Sequence, residues 1–522
     1  MLERLSAFKH TALDCVLLLC GYYVLLQLLL QFGNMPEQAF YGSFILLAAF
    51  QNAWLYGFVL IALVVALAWY RREDSFALSW QTMPSGNILR LIVGLIAFLL
   101  AWMFSSYDYN LYFASGHWPD RLLLLLFFGM ILWKPLMVLP FLLVLLPVIS
   151  QFHYPIGGYS VADPFPLMKM LVAFVAMLAL STLLKRDFGK AFLVLILCIQ
   201  ASGYWISGTG KFSSHWILTD KIYYLLPATY ANGWLAFFPP ETISEWTQWL
   251  GNWNWPMKIG TLMLEVGALF VLLRRNLTLF LLIGWISFHV GVFLVSGIAF
   301  WRWGLLELLI LGLLIKYPKE ALFQVYSKSV FAVSLVLILG ASIWFKPVKL
   351  SWHDSKVNYT YLLEGIGESG KTYNLSPEFF QPYEYQFTQS PFAYLSSEKQ
   401  LNVVWGATGR KTAKALQQVR SAEDLFALEE SSGKIFFNEK KTLRFEKFIR
   451  MFVSALNKEK SKRTWWESIQ APHLLQTFNS GVEYDGAEKI NSITVTQLTT
   501  FYDEKKYKEI RRRPVRTIAI ER

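Results

Sequence analysis

The sequence predicts an α-helical polytopic membrane bundle of about 9–11 spans, followed by a mixed α/β, strand-containing domain outside the membrane. Of its 522 residues, 55% are hydrophobic and 17% are aromatic, which is more apolar surface than a soluble globule can bury. The long apolar runs stop near Lys349, and the sequence beyond has the polar and charged composition of a globular domain. We therefore divide the chain into a multi-span domain at 1–348 and a globular tail at 349–522.

The spans follow from apolar runs, since about 20 residues are needed to cross the hydrocarbon core. The clear candidates are 12–31, 52–70, 90–106, 166–184, 191–207, 258–273, 277–299 and 328–346. The run 120–151 is too long for one helix, and because Lys134-Pro135 interrupts it, we expect a short hairpin of two spans there. The shorter run 303–316 is a further candidate. The N-terminus resembles a signal anchor without a small-residue cleavage site, so we count it as the first span.

Basic residues in short loops predict the orientation, because cytoplasmic loops are enriched in lysine and arginine. If the hairpin is counted, these residues fall on one side: Arg4, Lys9, Arg71, Arg72, Lys134, Lys185, Arg186, Lys190, Arg274, Arg275, Lys316 and Lys319. We expect a multi-pass protein of the plasma or inner membrane with a cytoplasmic N-terminus. With an odd number of spans the tail is external. With one span fewer, the tail would lie on the cytoplasmic side.

The segment 208–257 is the least regular of the predicted external loops. It is apolar and rich in tryptophan and tyrosine, but glycine, proline and charged residues interrupt it. We expect that it does not cross the bilayer. It either lies in the membrane interface, where tryptophan and tyrosine settle, or folds back into the bundle.

The tail combines strand and helix patterns. Alternating apolar residues predict strands in VNYTYLLE, KIFFNE, INSITVTQLTTFY and VRTIAIE. Helical spacing predicts helices over 411–430 and 441–460. The basic cluster RRRPVR at 511–516 could contact lipid head groups or an acidic peptide, although a solvated face is the commoner role of such a cluster.

The stretch GIGESGKT at 365–372 matches the phosphate-loop pattern of nucleotide-binding proteins. Phosphate binding requires a helix directly after the loop, and Pro377 and Pro382 would break such a helix in its first turns. A glycine-rich hairpin turn is therefore the better interpretation, and we expect no ATP. We expect no nucleic acid either, since basic runs are not interleaved with aromatic residues.

Seven ionisable residues lie within or beside the later spans, where charge is expensive. They are Lys211, His215, Asp220, Glu265, His289, Arg302 and Glu307. Each has a structural interpretation: the glutamates can pair with a lysine or Arg302 to fasten helices, His289 can donate a hydrogen bond between helices, and Arg302 can extend to the interface. Together they also fit a functional site that faces the bundle interior.

Lys211 is the strongest candidate for chemistry. A lysine in a dry pocket favours the neutral amine, because desolvation penalises the charged form. Such an amine can accept a proton near neutral pH, as a general base must. The expected substrate is apolar, carries an acidic hydroxyl and arrives from the membrane.

The stretch YWISGTGKFSSHW at 204–216 resembles the aromatic-aromatic-x-small-Gly-x-x-Lys-hydrophobic-x-x-x-Trp signature of the horizontally transferred transmembrane domain. The vitamin K-dependent γ-carboxylase is the best-known member of that family. Further along, Glu265 in LMLEVGALF, then Arg274-Arg275, then FHVGVFLVSGIAF at 288–300 are similar to the family's Glu, His and small-residue segment. The resemblance covers 190–317.

The resemblance implies that Lys211 deprotonates vitamin K hydroquinone or menaquinol, and that reaction with O2 then yields a strong base. That base would remove a γ-proton from glutamate of a secreted polypeptide before CO2 adds. Trp216 would form a wall of the cofactor pocket and His289 a polar support. We place Glu265 and Arg302 with them in cofactor binding.

The chain departs from the family at two points. The family's second catalytic histidine has no clear counterpart; His153 is the nearest candidate, with His117 behind it. Thr219-Asp220 stand where the family has a glycine after the tryptophan.

Two other functions remain open at this stage. The first is a non-enzymatic membrane maturation or export factor for a secreted peptide, with the bundle as a scaffold in the lipid. The second is a transporter, although we find no inverted repeat in the sequence.

Overall fold

The computed structural model describes residues 2–42, 79–156, 166–458 and 469–520, apart from short breaks at 34, 108–110, 115–116, 155, 351, 382, 390–391 and 479–480. The first two thirds form a helical bundle, and the last third forms a smaller domain around an antiparallel sheet. The prediction of a helical bundle followed by a strand-containing tail is confirmed at this level. The predicted span 52–70 lies outside the described residues.

The helices of the bundle follow the apolar runs. They are α1 (Leu2–Gly33), α2 (Gly86–Ser106), α3 (Trp118–Ile131), α4 (Val138–Gln151), α5 (Pro166–Leu184), α6 (Gly189–Ser213), α7 (Leu225–Ala231), α8 (Pro240–Asn252), α9 (Asn254–Gly267), α10 (Arg275–Ser296), α11 (Trp301–Lys316) and α12 (Lys328–Leu339). Short helical turns lie at Glu37–Tyr41, Pro135–Met137, Trp216–Thr219, Ile222–Tyr224, Ala268–Phe270, Ala321–Phe323 and Ala341–Trp344.

Five helical stretches in the described part of the chain are long and apolar enough to cross a membrane. They are His10–Gly33, Gly86–Ser106, Pro166–Leu184, Gly189–Ser213 and Arg275–Ser296. The run 120–151 forms two separate helices, α3 and α4, joined at the turn Pro135–Met137, and neither is among the five membrane-length stretches. A proline at the start of this turn cannot continue the preceding helix, because it lacks the N–H donor.

The segment 208–257 differs in part from its prediction. Helix α6 continues through Lys211 to Ser213, so the lysine belongs to a helix and not to a loop. Beyond it, α7 and α8 are too short to cross the hydrocarbon core. One side of α8 contacts the tail, where the Tyr507 N–H donates to Ser244 Oγ at 2.9 Å. The other side exposes Trp246 and Trp249, as in an interfacial helix.

The tail is built on a four-stranded antiparallel sheet with the order β2-β1-β5-β6. The strands of the tail are β1 (Val357–Gly367), β2 (Thr372–Leu375), β3 (Lys399–Gln400), β4 (Lys434–Ile435), β5 (Ile490–Tyr502) and β6 (Tyr507–Ala519). Its helices are α13 (Arg410–Leu416), α14 (Ala422–Ser432) and α15 (Glu439–Lys458), with shorter turns at Pro377–Phe380, Glu384–Gln389 and Phe392–Leu395. In the sheet, Tyr361 lies opposite Gln497 and Leu363 opposite Leu375.

The glycine-rich stretch at 365–372 forms the predicted hairpin turn. Ile366 of β1 pairs with Thr372 of β2, and between them Gly370 takes a φ of +83°, which glycine adopts without strain. Because this stretch turns back into a strand, it does not lead into the helix that a phosphate loop requires.

Two other predictions for the tail need correction. The stretch KIFFNE contributes only the short strand β4, paired with β3. The helix expected over 411–430 is two helices, α13 and α14, because Ser421 caps a new helix. Its hydroxyl accepts the Asp424 N–H at 3.2 Å, which completes a capping box.

The basic cluster at 511–516 lies on β6 and pairs within the tail. Arg511 contacts Glu429 at 2.8 Å, and Arg516 contacts Glu446 at 2.5 Å. Arg512 and Arg516 remain 49% and 42% exposed, so the cluster is a partly solvated face that also forms ion pairs with the tail helices.

The tail packs against one end of the bundle. Tyr107, after α2, donates to the Pro472 carbonyl at 3.2 Å, and Ala299, after α10, donates its N–H to the Leu474 carbonyl at 2.7 Å. The basic residue Arg275 starts α10 and so lies at the opposite end. The tail therefore shares its side with loops that the charge pattern predicts to be external.

Candidate functional site

Helix α6 carries the central lysine to the tail end of the bundle. The helix is buried through most of its length, which fixes its last turns against α9. At Gly208 the two helices come so close that a Cβ on this residue would lie 3.2 Å from Glu265 Cβ. This close approach brings the Glu265 carboxyl within reach of Lys211, one turn further along α6.

Lys211 is almost completely buried, with 3% of its surface exposed. Its Nζ donates to Glu265 Oε1 at 2.5 Å and to the Leu350 carbonyl at 3.3 Å. Glu265 is 2% exposed, and its second oxygen, Oε2, has no hydrogen-bond partner among the described residues. The lysine and the glutamate therefore form a buried pair in which one carboxylate oxygen has no hydrogen-bond partner among the described residues.

This pairing changes the expected state of Lys211. Burial alone favours the neutral amine, but a carboxylate in contact favours the ammonium form. The lysine and the glutamate must therefore be considered as one hydrogen-bonded unit. Of the alternatives that the sequence left open, the contact agrees with a glutamate that pairs with a lysine.

The Trp216 ring lies beside Lys211. The left-handed residue His215, with a φ of 56°, turns the chain after α6 so that the indole is buried. Lys211 Nζ lies 5.4 Å from the centre of this ring, and Lys258 Nζ lies 5.8 Å from it. Both lysine amino groups therefore lie beside one indole ring, at distances typical of cation–π contacts.

The first residues of the tail complete the site. The Trp352 carbonyl accepts the Trp216 indole N–H at 3.1 Å. His353 Nδ1 lies 3.6 Å from Asp220 Oδ1, in the loop that follows Trp216. Gly406 holds this tail segment in place: its φ is +67°, and a Cβ there would lie 2.7 Å from the Trp352 ring. The site is therefore shared by the bundle and the tail.

Two carboxyl groups at this junction are shifted by burial. Burial raises the pKa of Asp220, while His353 and Lys258 act in the opposite direction. Burial also raises the pKa of Asp354 to about 7, although the Gly406 N–H donates to it at 2.8 Å. The junction beside Lys211 thus contains a carboxyl group that titrates near neutral pH.

His289 belongs to a second buried polar cluster. Its Nε2 lies 2.7 Å from the Tyr204 hydroxyl, which donates to Glu307 Oε1 at 2.7 Å. Gln200 Nε2 donates to the same carboxylate oxygen at 2.9 Å. The Tyr204 ring stacks on Trp285 with 4.3 Å between ring centres. We call Gln200, Tyr204, His289 and Glu307 the Tyr204 cluster.

The remaining predicted site residues lie elsewhere. Arg302 Nη1 is 2.7 Å from Met103 Sδ, and its guanidinium lies beside the Trp301 ring. His153 is exposed after α4, and its carbonyl accepts from Arg444 of the tail at 3.0 Å. Although the residue is exposed overall, partial desolvation of the ring and the nearby Arg444 charge lower the pKa of His153.

His117 is also separate from the lysine. It is buried, with Nδ1 3.2 Å from Asp120 Oδ2 and Nε2 2.8 Å from the Phe40 carbonyl. These contacts are those of a structural histidine at the start of α3. The catalytic role of His153, and of His117 behind it, stays a prediction.

Sequence reasoning missed several residues of the site. Lys258 carried a usable signal, since it is a lysine inside an apolar run. Tyr204 did too, as the first aromatic residue of the quoted signature. The tail segment at 350–354 carried none, because its position depends on packing between distant parts of the chain.

No family model matches the chain, and no curated protein or solved structure matches it either.

Proposed function

We propose that the chain is an integral membrane enzyme similar to the vitamin K-dependent γ-carboxylase, in which the Lys211–Glu265 pair deprotonates a quinol. The observation that carries this proposal is the pair itself: a lysine 3% exposed, 2.5 Å from a buried carboxylate, next to an indole face. Intramembrane ionisable groups that face a bundle interior are functional candidates. The membrane supplies a route for an apolar substrate.

The residues present fit a quinol such as vitamin K hydroquinone or menaquinol. The Trp216 indole, which is buried beside Lys211, would form one side of the quinol site. Lys211 Nζ and the unpartnered Glu265 Oε2 offer polar atoms to a hydroxyl. When bound, the quinol supplies, with O2, the strong base needed for proton removal at the γ-carbon of glutamate, to which CO2 then adds.

The pair can accept a proton without creating an isolated buried charge. At rest, the lysine and the glutamate share one acidic proton and are neutral together. When the hydroxyl O–H bond breaks, its proton joins the pair, which becomes an ammonium group beside a carboxylic acid. The new positive charge lies next to the negative oxygen it produced, so the two charges stabilise each other.

The second substrate that we propose is glutamate of a secreted or extracytoplasmic polypeptide. The tail packs on the end of the bundle that carries Lys211, and the charge pattern assigns that end to the outside. A cavity of about 280 Å³ lies on the same end, between the loop at Gly233 and the sheet at Tyr361. This cavity is lined by both polar and apolar side chains, which suits a peptide segment.

The test is incubation of purified protein in lipid with reduced menaquinone or vitamin K under air. The product to follow by mass spectrometry is the quinone epoxide. We expect epoxide from the wild-type protein and none from Lys211→Ala or Lys211→Arg, provided that both variants fold. Full activity of Lys211→Arg would contradict base catalysis, because it would show that a positive charge is sufficient.

The same experiment separates the two alternatives. A maturation scaffold would form no epoxide and would tolerate substitution of Lys211 while remaining sensitive to changes in the tail. A transporter would move its substrate in liposomes that contain neither quinol nor O2.

A further inference from the structure

The loop between β5 and β6 places a glutamate against the bundle. Tyr502 pairs with Tyr507 across the two strands, so the loop consists of residues 503–506. Within it, Glu504 takes a φ of +73°, a left-handed conformation that glycine or asparagine adopts at lower cost than glutamate. The turn alone therefore gives no reason for a glutamate at this position, and the contacts of the side chain supply one.

Three donors from one short segment of the bundle converge on the Glu504 carboxylate. Lys221 Nζ donates to Oε1 at 2.9 Å, the Tyr223 hydroxyl donates to Oε2 at 3.0 Å, and the Tyr224 hydroxyl donates to Oε1. Both carboxylate oxygens thus accept hydrogen bonds, and one of the donors is a cation, which is the combination that binds carboxylates most strongly. We call Lys221, Tyr223 and Tyr224 the Lys221 cluster.

The Lys221 cluster is held in place by the bundle. Its residues lie at the short helical turn directly before α7. In this turn the Ile222 N–H donates to Asn254 Oδ1 at 3.0 Å, at the beginning of α9. Tyr224 is 5% exposed, so its ring is buried while its hydroxyl reaches the carboxylate. The donors are therefore positioned by contacts in which Glu504 takes no part.

The contact with Glu504 is open to solvent and is not what docks the tail. The side chains of Lys221 and Glu504 are each 39% exposed. Exposed ion pairs add little to stability. The tail is attached elsewhere through its backbone, for example where the Phe478 N–H donates to the Gly233 carbonyl at 2.8 Å. Release of the Glu504 carboxylate is therefore compatible with a docked tail.

The Lys221 cluster lies between the site around Lys211 and the cavity that we propose for the polypeptide. Lys221 directly follows Asp220, which belongs to the junction beside Lys211. On the other side, Tyr507 ends the loop that carries Glu504, and it lines the cavity of about 280 Å³. A polypeptide segment in this cavity would therefore contact the end of the same loop.

We infer that the Lys221 cluster is a binding site for a glutamate side chain of the polypeptide substrate, and that Glu504 fills the site while the polypeptide is absent. The ligand class follows from the carboxylate that the structure holds there, since a glutamate of another chain presents the same two oxygens. The identity of that chain as the substrate rests on the proposed function. The cluster holds the polypeptide by an acidic side chain, and the chemistry takes place at Lys211.

The test measures binding of a fluorescently labelled peptide of alternating glutamate and alanine to the full chain in phosphatidylcholine nanodiscs, by fluorescence anisotropy. Glu504→Gln removes the charge of the internal occupant, so the site is free in a larger fraction of molecules and Kd is expected to fall at least about threefold. Asp503→Asn is the control, because its carboxylate lies in the same loop but contacts Lys508 at 2.6 Å. Kd is expected to stay unchanged in this variant at physiological ionic strength.

A second substitution tests the cluster itself. In the Glu504→Gln background, Lys221→Met is expected to raise Kd at least about tenfold, because it removes the charged donor. Lys505→Met in the same background is the matched control, since this lysine lies in the loop and is exposed. Its Kd is expected to stay close to that of Glu504→Gln alone.

Three results would overturn the inference. The first is an equal Kd in wild-type protein and Glu504→Gln, or no binding to either. The second is an equal gain for a peptide with glutamine in place of glutamate. The third is a gain for short-chain phosphatidylserine and none for the peptide, which would assign the cluster to lipid head groups.

Epoxide formation distinguishes this inference from the proposed function. Tighter peptide binding by Glu504→Gln without epoxide formation by the wild-type protein would exclude the quinol chemistry and leave an acidic-peptide site. Epoxide formation with an unchanged Kd would exclude only the site.

Discussion

Replacing Glu265 by glutamine distinguishes two roles of the ion pair with Lys211: one in which it only fastens helices, and one in which it also performs chemistry. The substitution keeps the shape of the side chain and removes its charge. Lys211, 3% exposed, is then left as a buried ammonium or must release its proton. Releasing a proton from a lysine with the ordinary pKa of about 10.4 costs about 5 kcal/mol at pH 7, which sets an upper limit. Breaking a buried ion pair typically costs about 3–5 kcal/mol, so we expect Glu265→Gln to lower the free energy of unfolding by an amount in that range.

The double variant Lys211→Met/Glu265→Leu removes both charges and fills a similar volume. Replacing a buried pair by apolar residues is often neutral or stabilising. The double variant is therefore expected to have a free energy of unfolding at least as large as that of the wild-type protein. Its quinol chemistry is expected to be absent. The free energy of unfolding is measured in detergent micelles with tryptophan fluorescence as the signal. The values for the wild-type protein, the two single variants and the double variant are then combined in a double-mutant cycle.

An exposed pair provides the matched control. Lys399 and Glu430 also lie 2.5 Å apart, but their side chains are 44% and 78% exposed. Glu430→Gln is expected to cost less than about 1 kcal/mol. If Glu265→Gln lowered the free energy of unfolding by as little as Glu430→Gln does, the reasoning from burial would be refuted. If the double variant retained quinol chemistry, the role of the pair as a base would be refuted.

Three further predictions concern the tail. Burial raises the pKa of Asp354 from 3.8 to about 7. Folding is therefore most favourable while this carboxyl is protonated, and up to about 4 kcal/mol of stability is lost as the pH rises between these two values. Asp354→Asn is expected to reduce the difference between the free energies of unfolding at pH 5 and pH 8. Gly406→Ala should cost about 1–3 kcal/mol in the same unfolding assay, because alanine is strained at a φ of +67° and its Cβ would meet the Trp352 ring. Calorimetric titration with Mg-ATP should show no heat of binding in wild-type protein or Lys371→Ala, since the glycine-rich stretch is a hairpin.

The helices were predictable because their signal is local. Apolar runs of sufficient length predicted the helices α2, α5 and α10, and a single proline located the break between α3 and α4. Alternation was equally informative for β1 and β5, whose side chains are buried on a regular sheet. In each case the residues that form the element also carry the pattern.

The composition of the site was predictable only in part. Lys211 and Trp216 are five residues apart, so a short motif could include both. The choice of Glu265 as the partner of Lys211, and of the Leu350 carbonyl as a second contact, depends on how α6, α9 and the start of the tail pack together. Local sequence carries no record of that packing, which is why the sequence could offer a lysine–glutamate pair only as one alternative.

The most direct test of the central claim is the absorption spectrum of a naphthoquinol bound to the protein without oxygen, because ionisation of the hydroxyl shifts that spectrum. The Lys211–Glu265 pair predicts an ionised spectrum in the wild-type protein and a neutral spectrum in Lys211→Met, measured at one pH and with equal amounts bound. A neutral spectrum in both proteins, or an ionised spectrum in both, would contradict the role of Lys211 as the base.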